Sequence, residues 1–265
     1  MPARMKGNRF RELLQSRKFA AGMFVFIPAE AIVDMLGYAG FHFVMFDNEH
    51  ASYDIAFIER LARAAEAAGI PCIVRLSHPD PYVIARVLDT GVDGLLFARV
   101  ESKNTAEDIV TLCRIPPMGK RGACQGSRAG DYFLMSQDDY TRRSNDVAIA
   151  VMIETKEGLA HAEEILGVPG VDAVIMGPGD LSFSLGVSRD DPRLVEAQEH
   201  IIKLAKSAGV TVMVPAKTPE DTAQWLQRED GPRVFFYTTD AYQIGNCFRG
   251  LMKRSRELVA RFAKP

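Results

Sequence analysis

Short apolar runs alternate with longer stretches of helical period along nearly the whole chain. The strand-like runs occupy residues 20–27, 42–47, 71–76, 94–100, 147–154, 172–177, 211–216 and 233–239. Helical periodicity follows over residues 29–39, 54–68, 82–90, 105–113, 155–166, 192–208, 219–227 and a last segment reaching Phe262. Most runs are apolar at consecutive positions, as expected of parallel strands buried on both faces. Eight such units predict a single α/β domain over residues 1–265, a (β/α)8 TIM barrel. An open doubly wound sheet is the rival, but no G-x-G-x-x-G follows the first run, so its dinucleotide-binding form has no support. The rhythm breaks once, at about residues 115–146, where a Gly-, Arg- and Ser-rich stretch of weak periodicity predicts an irregular functional loop.

Composition narrows the function classes. The formal net charge is −2, so no basic surplus calls for nucleic acid or an anionic membrane surface. No apolar run approaches the roughly 20 residues that span a bilayer. The first fifteen residues are basic but lack the apolar segment of a secretory signal. Cys72, Cys113, Cys124 and Cys247 are scattered without a C-x-x-C pair, which reads as reduced thiols of a cytoplasmic protein.

In a barrel, chemistry sits where strands end. The polar residues there are Asp47, Asn48, Glu49 and His50 after the second run, Arg75 in the third, and Arg99 and Glu101 after the fourth. Glu154 ends the fifth run, Gly177, Pro178, Gly179 and Asp180 end the sixth, and Lys217 and Asp240 follow the seventh and eighth. Glu154 and Asp180, on adjacent strands, could share one hard divalent cation and leave room for water and substrate. The alternative is that such carboxylates cap the helices that follow them.

Several of these segments together resemble the HpcH/HpaI family of class II pyruvate aldolases. They are Phe46-Asp47-Asn48-Glu49-His50, Ile73-Val74-Arg75, Pro116-Pro117-Met118-Gly119-Lys120-Arg121-Gly122, Ile153-Glu154-Thr155 and Gly177-Pro178-Gly179-Asp180-Leu181-Ser182. The resemblance runs from about Phe10 to the last helix. It implies metal-dependent, reversible cleavage of a 4-hydroxy-2-oxo acid to pyruvate, or a related 2-oxo acid, and an aldehyde. It implies Glu154 and Asp180 as ligands of one divalent ion (Mg2+, Mn2+ or Co2+), with Arg75 at the 2-oxo oxygen. It further implies His50 as a proton carrier with Asp89 associated, and Gly177, Pro178 and Gly179 around the carboxylate of the 2-oxo acid. It also implies a homo-oligomer, a hexamer assembled from dimers through the last helices.

This chain departs from the family pattern in places. Met152 stands where members often carry Gln, Ala98-Arg99 replaces a frequent Pro-Met, and the stretch around Lys217 matches poorly. An arginine at position 99 could bind a polar or carboxylate group of the aldehyde fragment. It could equally pair with Glu101 or Glu49. Two other readings remain open at this point: a carbon–carbon lyase of the citrate-lyase-β or malyl-CoA type, and a barrel that binds a 2-oxo acid without turnover. Lys217 as a Schiff-base lysine would require burial to lower its pKa.

Overall fold

The computed structural model describes residues 8–262 except 17 and 53. Eight strands, β1 Ala20–Val25, β2 Phe43–Asp47, β3 Cys72–Leu76, β4 Gly94–Phe97, β5 Ala148–Ile153, β6 Ala173–Met176, β7 Thr211–Pro215 and β8 Val234–Thr239, close into a barrel in chain order. Every pair, including β1 with β8, is parallel. The predicted (β/α)8 TIM barrel is therefore the observed fold.

Strands β1 to β6 are buried at every position, which is why their sequences read as nearly continuous apolar runs, while β7 and β8 are buried in part. Phe43 and Met45, Ile73, Leu96, Ala148, Ala150 and Met152, and Val234 and Phe236 belong to the cluster inside the barrel. Their neighbours Val44, Phe46, Val74, Leu95, Ile149 and Val151 belong to the outer cluster under the helices. Gly22 admits the Phe43 ring, because a Cβ there would lie 2.2 Å from it.

The helices around the barrel are α2 Glu30–Tyr38, α3 Ile55–Ala67, α4 Pro81–Asp89, α5 Lys103–Cys113, α7 Lys156–Ala160, α8 Ala162–Leu166, α9 Pro178–Leu185, α10 Pro192–Ala208, α11 Glu220–Leu226 and α12 Asp240–Phe262. A further helix, α1 Arg9–Gln15, comes before β1 and was not expected from the basic amino-terminal stretch. Its Phe10 and Leu14 join the inner cluster, so α1 plugs the end of the barrel where the strands begin. Arg11 secures the plug through Asp146 at 2.6 Å and Asp172 at 2.8 Å.

The segment after α5 is more ordered than its composition suggests. It holds a 3-10 stretch, Arg128–Phe133, and a nine-residue helix, α6 Gln137–Asn145. Only Tyr140 and Ser144 of α6 are buried, one residue per turn, so the helix carries no apolar stripe in its sequence. Its cap was legible: the Ser136 hydroxyl accepts the amide of Asp139, with acidic residues in the first turn and Arg142 and Arg143 in the last. Because the segment leads from a helix into a strand, it lies at the amino-terminal face of the barrel, where Arg114 donates to the Val147 carbonyl at 2.7 Å. The active face of a barrel is the other one. The single helix read over residues 155–166 is two helices joined at His161.

Helix α12 touches β1 and β8 near its start, but every residue from 247 to 262 is exposed. Among the described residues, no helix is long and apolar enough to cross a membrane.

Candidate active site

The inward-facing positions turn from apolar to charged as the strands reach their carboxyl ends. On β2, Phe43 and Met45 are followed by Asp47; on β3, Ile73 is followed by Arg75; on β5, Met152 is followed by Glu154. Alternation alone thus aims these three side chains at the mouth.

Asp47 and Arg75 are register partners, so their side chains meet. Arg75 donates through Nε to Asp47 Oδ1 at 3.1 Å and through Nη2 to Asp47 Oδ2. Its Nε also lies 3.3 Å from Glu49 Oε2, and its guanidinium sits over the Phe24 ring at 4.9 Å. Burial opposes the Arg75 charge, but Asp47, Glu49 and Glu154 outweigh burial and raise its pKa. Asp47 is fully buried, and its Oδ1 also accepts the amides of Glu49 at 2.9 Å and His50 at 3.2 Å. That turn carries His50 out to an exposed position, with Nε2 3.5 Å from Glu49 Oε2.

Glu154 is 4 % exposed, and its Oε1 accepts the backbone amide of Arg99 at 2.9 Å. Burial pushes its carboxyl up to about 7; the Arg99 amide works against this, Asp180 and Glu49 add to it, and Arg75 lowers it. Gly177 packs against the same carboxylate, since a Cβ there would lie 2.6 Å from Glu154 Oε2. Gly177 caps α9, with Pro178, Gly179 and Asp180 in its first turn, and Asp180 is exposed to solvent. The amides of that turn point to the mouth, as at any helix start.

Among the described residues, no three His, Cys, Asp or Glu side chains converge as a closed metal cage. A pair of carboxylates fits a different kind of site, one in which a hard cation keeps water or substrate oxygens as its other ligands. The residues suit that kind. Glu154 is buried, its carboxyl is raised by that burial and further by the negative charges of Asp180 and Glu49, and its Oε2 has room beside residue 177 because that residue has no side chain.

Other expected site residues lie where they do not meet. Asp89 is the last residue of α4, which returns toward the start of β4. It accepts from the Ser127 hydroxyl at 3.4 Å and feels the charge of Arg121, while burial pushes its carboxyl up. It makes no hydrogen bond to His50 within this chain. The Arg99 side chain is exposed at the rim, with Nη2 3.7 Å from Glu101 Oε1, one of the two arrangements foreseen for it. Lys217 is exposed, so burial does not prepare it for Schiff-base chemistry.

Sequence reasoning placed Asp47 and Glu49 at the rim, with Glu49 as a possible partner of Arg99, but gave neither the role of holding Arg75. The available signal was Asp47's place two residues beyond the inward Met45. It also missed Arg189, whose Nη2 would lie 3.4 Å from a Cβ on Gly179, so a guanidinium rests against the first turn of α9.

A parallel barrel that gathers an arginine and buried carboxylates at its mouth has the form of an enzyme active site. Comparison with known proteins narrows its chemistry. The chain belongs to the HpcH/HpaI aldolase/citrate lyase family, whose match spans residues 20–229. Its reaction class is therefore carbon–carbon bond cleavage. It is 32% identical over 224 residues to the 5-keto-4-deoxy-D-glucarate aldolase of Escherichia coli (strain E24377A), covering 83% of this chain and 86% of that one. A family member from Burkholderia cenocepacia J2315 superposes with a TM-score of 0.86 at 28% identity, over 94% of this chain and 99% of the other. The citrate synthase SbnG superposes with a TM-score of 0.84 at 27% identity, over 94% and 98%.

Proposed function

We propose that this aldolase-family chain uses one divalent ion, held by Glu154 and Asp180, to cleave a 4-hydroxy-2-oxo acid reversibly into pyruvate or a related 2-oxo acid and an aldehyde. The observation that carries this reading is the buried Glu154 carboxylate, given room by Gly177 and flanked by the charges of Arg75 and Asp180. Mg2+, Mn2+ and Co2+ all suit two carboxylate ligands with other oxygens completing the shell.

In cleavage, a base takes the proton of the C4 hydroxyl, the C3–C4 bond breaks, and its electron pair passes into the enolate of the 2-oxo acid. Protonation at C3 then gives pyruvate. When bound, the ion supplies Lewis acidity toward the 2-oxo acid. Arg75, fixed by Asp47 and Glu49, holds a positive charge where the enolate oxygen develops. The amides of Gly179 and Asp180, at the start of α9, bind the carboxylate of the 2-oxo acid. His50 stands at the rim beside Glu49 and carries the proton at the aldol oxygen. Arg99 lines the aldehyde side, next to Glu154 through its own backbone.

Helix α12 supports a homo-oligomer. Phe248, Leu251, Met252, Leu258, Val259 and Phe262 are all exposed along its free half. The outer face near β1 is uncovered too, with Met35 at 56% and Tyr38 at 86% exposure. A hexamer built from dimers through these helices would bury both. Four free cysteines suit a reducing cytoplasm.

The deciding experiment couples pyruvate release from a racemic 4-hydroxy-2-oxo acid to lactate dehydrogenase. Turnover should stop on EDTA treatment and return with Mn2+, Mg2+ or Co2+. Turnover indifferent to chelation would overturn the metal reading, and no release with any of these ions would overturn the aldolase reading.

A further inference from the structure

Helix α9 ends in a turn that sends the chain back along its own length. Gly186 closes it at φ 64°, its amide donating to the Phe183 carbonyl at 3.1 Å, while the Val187 amide reaches the Ser182 carbonyl at 2.9 Å. This is the double closure of a Schellman cap, which needs a residue free to turn left-handed. Val187 then packs on the outer apolar cluster, and the Asp191 side chain caps α10 by accepting the Arg193 amide at 2.9 Å. The residues between are thus held at both ends, and they return Arg189 to the first turn of α9. Arg189 Nη2 and Cζ lie 3.4 and 3.9 Å from where a Cβ on Gly179 would stand.

Arg189 makes no hydrogen bond or ion pair among the described residues. Asp191, two residues on, is committed to Arg193 at 2.8 Å. The turn that Arg189 rests on holds two free donors. Pro178 has no amide hydrogen, and the amides of Gly179 and Asp180 have no partner among the described residues. Gly177 presents its bare side to the Glu154 carboxylate, and Gly179 presents its own to the guanidinium. One turn at the end of β6 therefore carries two unused amides, a buried carboxylate against its first glycine and an unpaired cation against its second.

We propose that Arg189 is a substrate-binding residue whose guanidinium, with the Gly179 and Asp180 amides, holds the carboxylate of the 2-oxo acid. The inference deepens the aldolase reading above and rests on it. Two amides at a helix start give directed hydrogen bonds but only a partial charge. Glu49, Glu154 and Asp180 place negative charge around the same mouth, which disfavours an incoming anion. Arg75 shares its charge with Asp47 and Glu49 and stands at the enolate oxygen. Arg189 adds a full positive charge beside the amides, on a planar fork that matches a carboxylate. That carboxylate is unchanged as the C3–C4 bond breaks, so the contact is equally strong before and during cleavage. It should therefore govern substrate affinity and leave kcat alone.

The test is calorimetry of pyruvate binding to the Mn2+-loaded wild type, Arg189→Met and Arg189→Lys. Arg189→Met should weaken pyruvate about tenfold, the scale of one lost charged contact, and Arg189→Lys by less. Methyl pyruvate lacks the carboxylate charge and should bind wild type and Arg189→Met alike. Mn2+ affinity without pyruvate should be the same in all three proteins, which also shows that the mouth is intact. In cleavage of a racemic 4-hydroxy-2-oxo acid, Arg189→Met should raise KM and keep kcat. Equal pyruvate affinity in wild type and Arg189→Met, or an equal loss for pyruvate and its ester, would overturn the assignment. So would tighter Mn2+ binding in Arg189→Met with pyruvate unaffected, since that marks a residue that only offsets the Asp180 charge. Each of these sinks Arg189 alone, because wild type still binds pyruvate. A Mn2+-loaded wild type that binds no pyruvate sinks the aldolase reading and this inference with it.

Discussion

The Arg99 amide donates to Glu154 at 2.9 Å from a left-handed backbone that few residues other than glycine adopt. The mouth thus positions one carboxylate oxygen by main chain, while the Arg99 side chain lies exposed at the rim beside Glu101. If that side chain binds an acidic aldehyde, Arg99→Met should lower the kcat/KM ratio of glyoxylate to propionaldehyde. The loss of a charged contact corresponds to roughly 1.5–3 kcal/mol in that ratio. An unchanged ratio would mean that Arg99 serves only Glu154 and the ion pair with Glu101.

Gly177 should tolerate no side chain. Gly177→Ala would place a Cβ 2.6 Å from Glu154 Oε2 and drive the carboxylate from its position. The variant should fold, bind Mn2+ at least tenfold more weakly and lose activity in proportion, about 1.4 kcal/mol for each factor of ten. Wild-type Mn2+ affinity, measured by calorimetry, would remove Glu154 Oε2 from the metal site.

Arg75 and the fully buried Asp47 form a pair that is costly to split. Arg75→Ala should destabilise the protein by roughly 3–5 kcal/mol, because it strands a buried carboxylate. Arg75→Lys should fold but lose chiefly kcat, since an ammonium cannot reproduce the two-point contact. Pyruvate methyl-proton exchange isolates the enolisation step. Exchange at the wild-type rate in Arg75→Lys would show that enolisation does not need the fixed guanidinium fork.

The metal-free protein should be most stable on the acid side of neutrality, as far as Glu154 is concerned. Its folded carboxyl titrates at about 7 against an ordinary value of 4.5, so the folded state holds this proton more tightly. That contribution is complete below pH 4.5, falls as pH rises and is gone above about 7. In EDTA, the Tm of wild type should drop between pH 5.5 and 7.5 relative to Glu154→Gln, and added Mn2+ should restore it at 7.5. Parallel Tm profiles for the two proteins would contradict the burial argument.

Helix α12 gives the test of assembly. Wild type should scatter light as an oligomer at micromolar concentration, and charge at Phe248 and Leu251, as in F248E with L251E, should break it into smaller species. A wild-type monomer would leave the apolar stripe unexplained.

The alternation of apolar runs and helical stretches made the barrel legible, because most strands bury two faces and each helix one. Strand ends were less so. Residues 94–100 read as one run, yet β4 stops at Phe97 because Arg99 turns left-handed, a distortion that sequence does not announce. Glu154, Arg75 and Gly177 come together as their strand-end positions required. Asp89 and His50 do not meet in this chain, since the last residue of a barrel helix returns to the opposite face. Asp47 was visible as a rim residue, but its use depends on register with Arg75, and register is a property of two strands, not of one.

The clasp between α1 and the far side of the barrel bears on how the chain folds. Arg11 reaches Asp172 across 161 positions of sequence, and Thr211 reaches the Leu14 carbonyl across 197. Contacts so distant along the chain cannot form early, because the loop they close must first be ordered by everything between. On the ribosome, helix α1 is made before any strand and can meet the Phe43 ring of β2 through Phe10 early. The contacts to Asp172 and Thr211 that fasten it across the barrel can close only after β6 and β7 have emerged, so the floor is locked as one of the last events of folding.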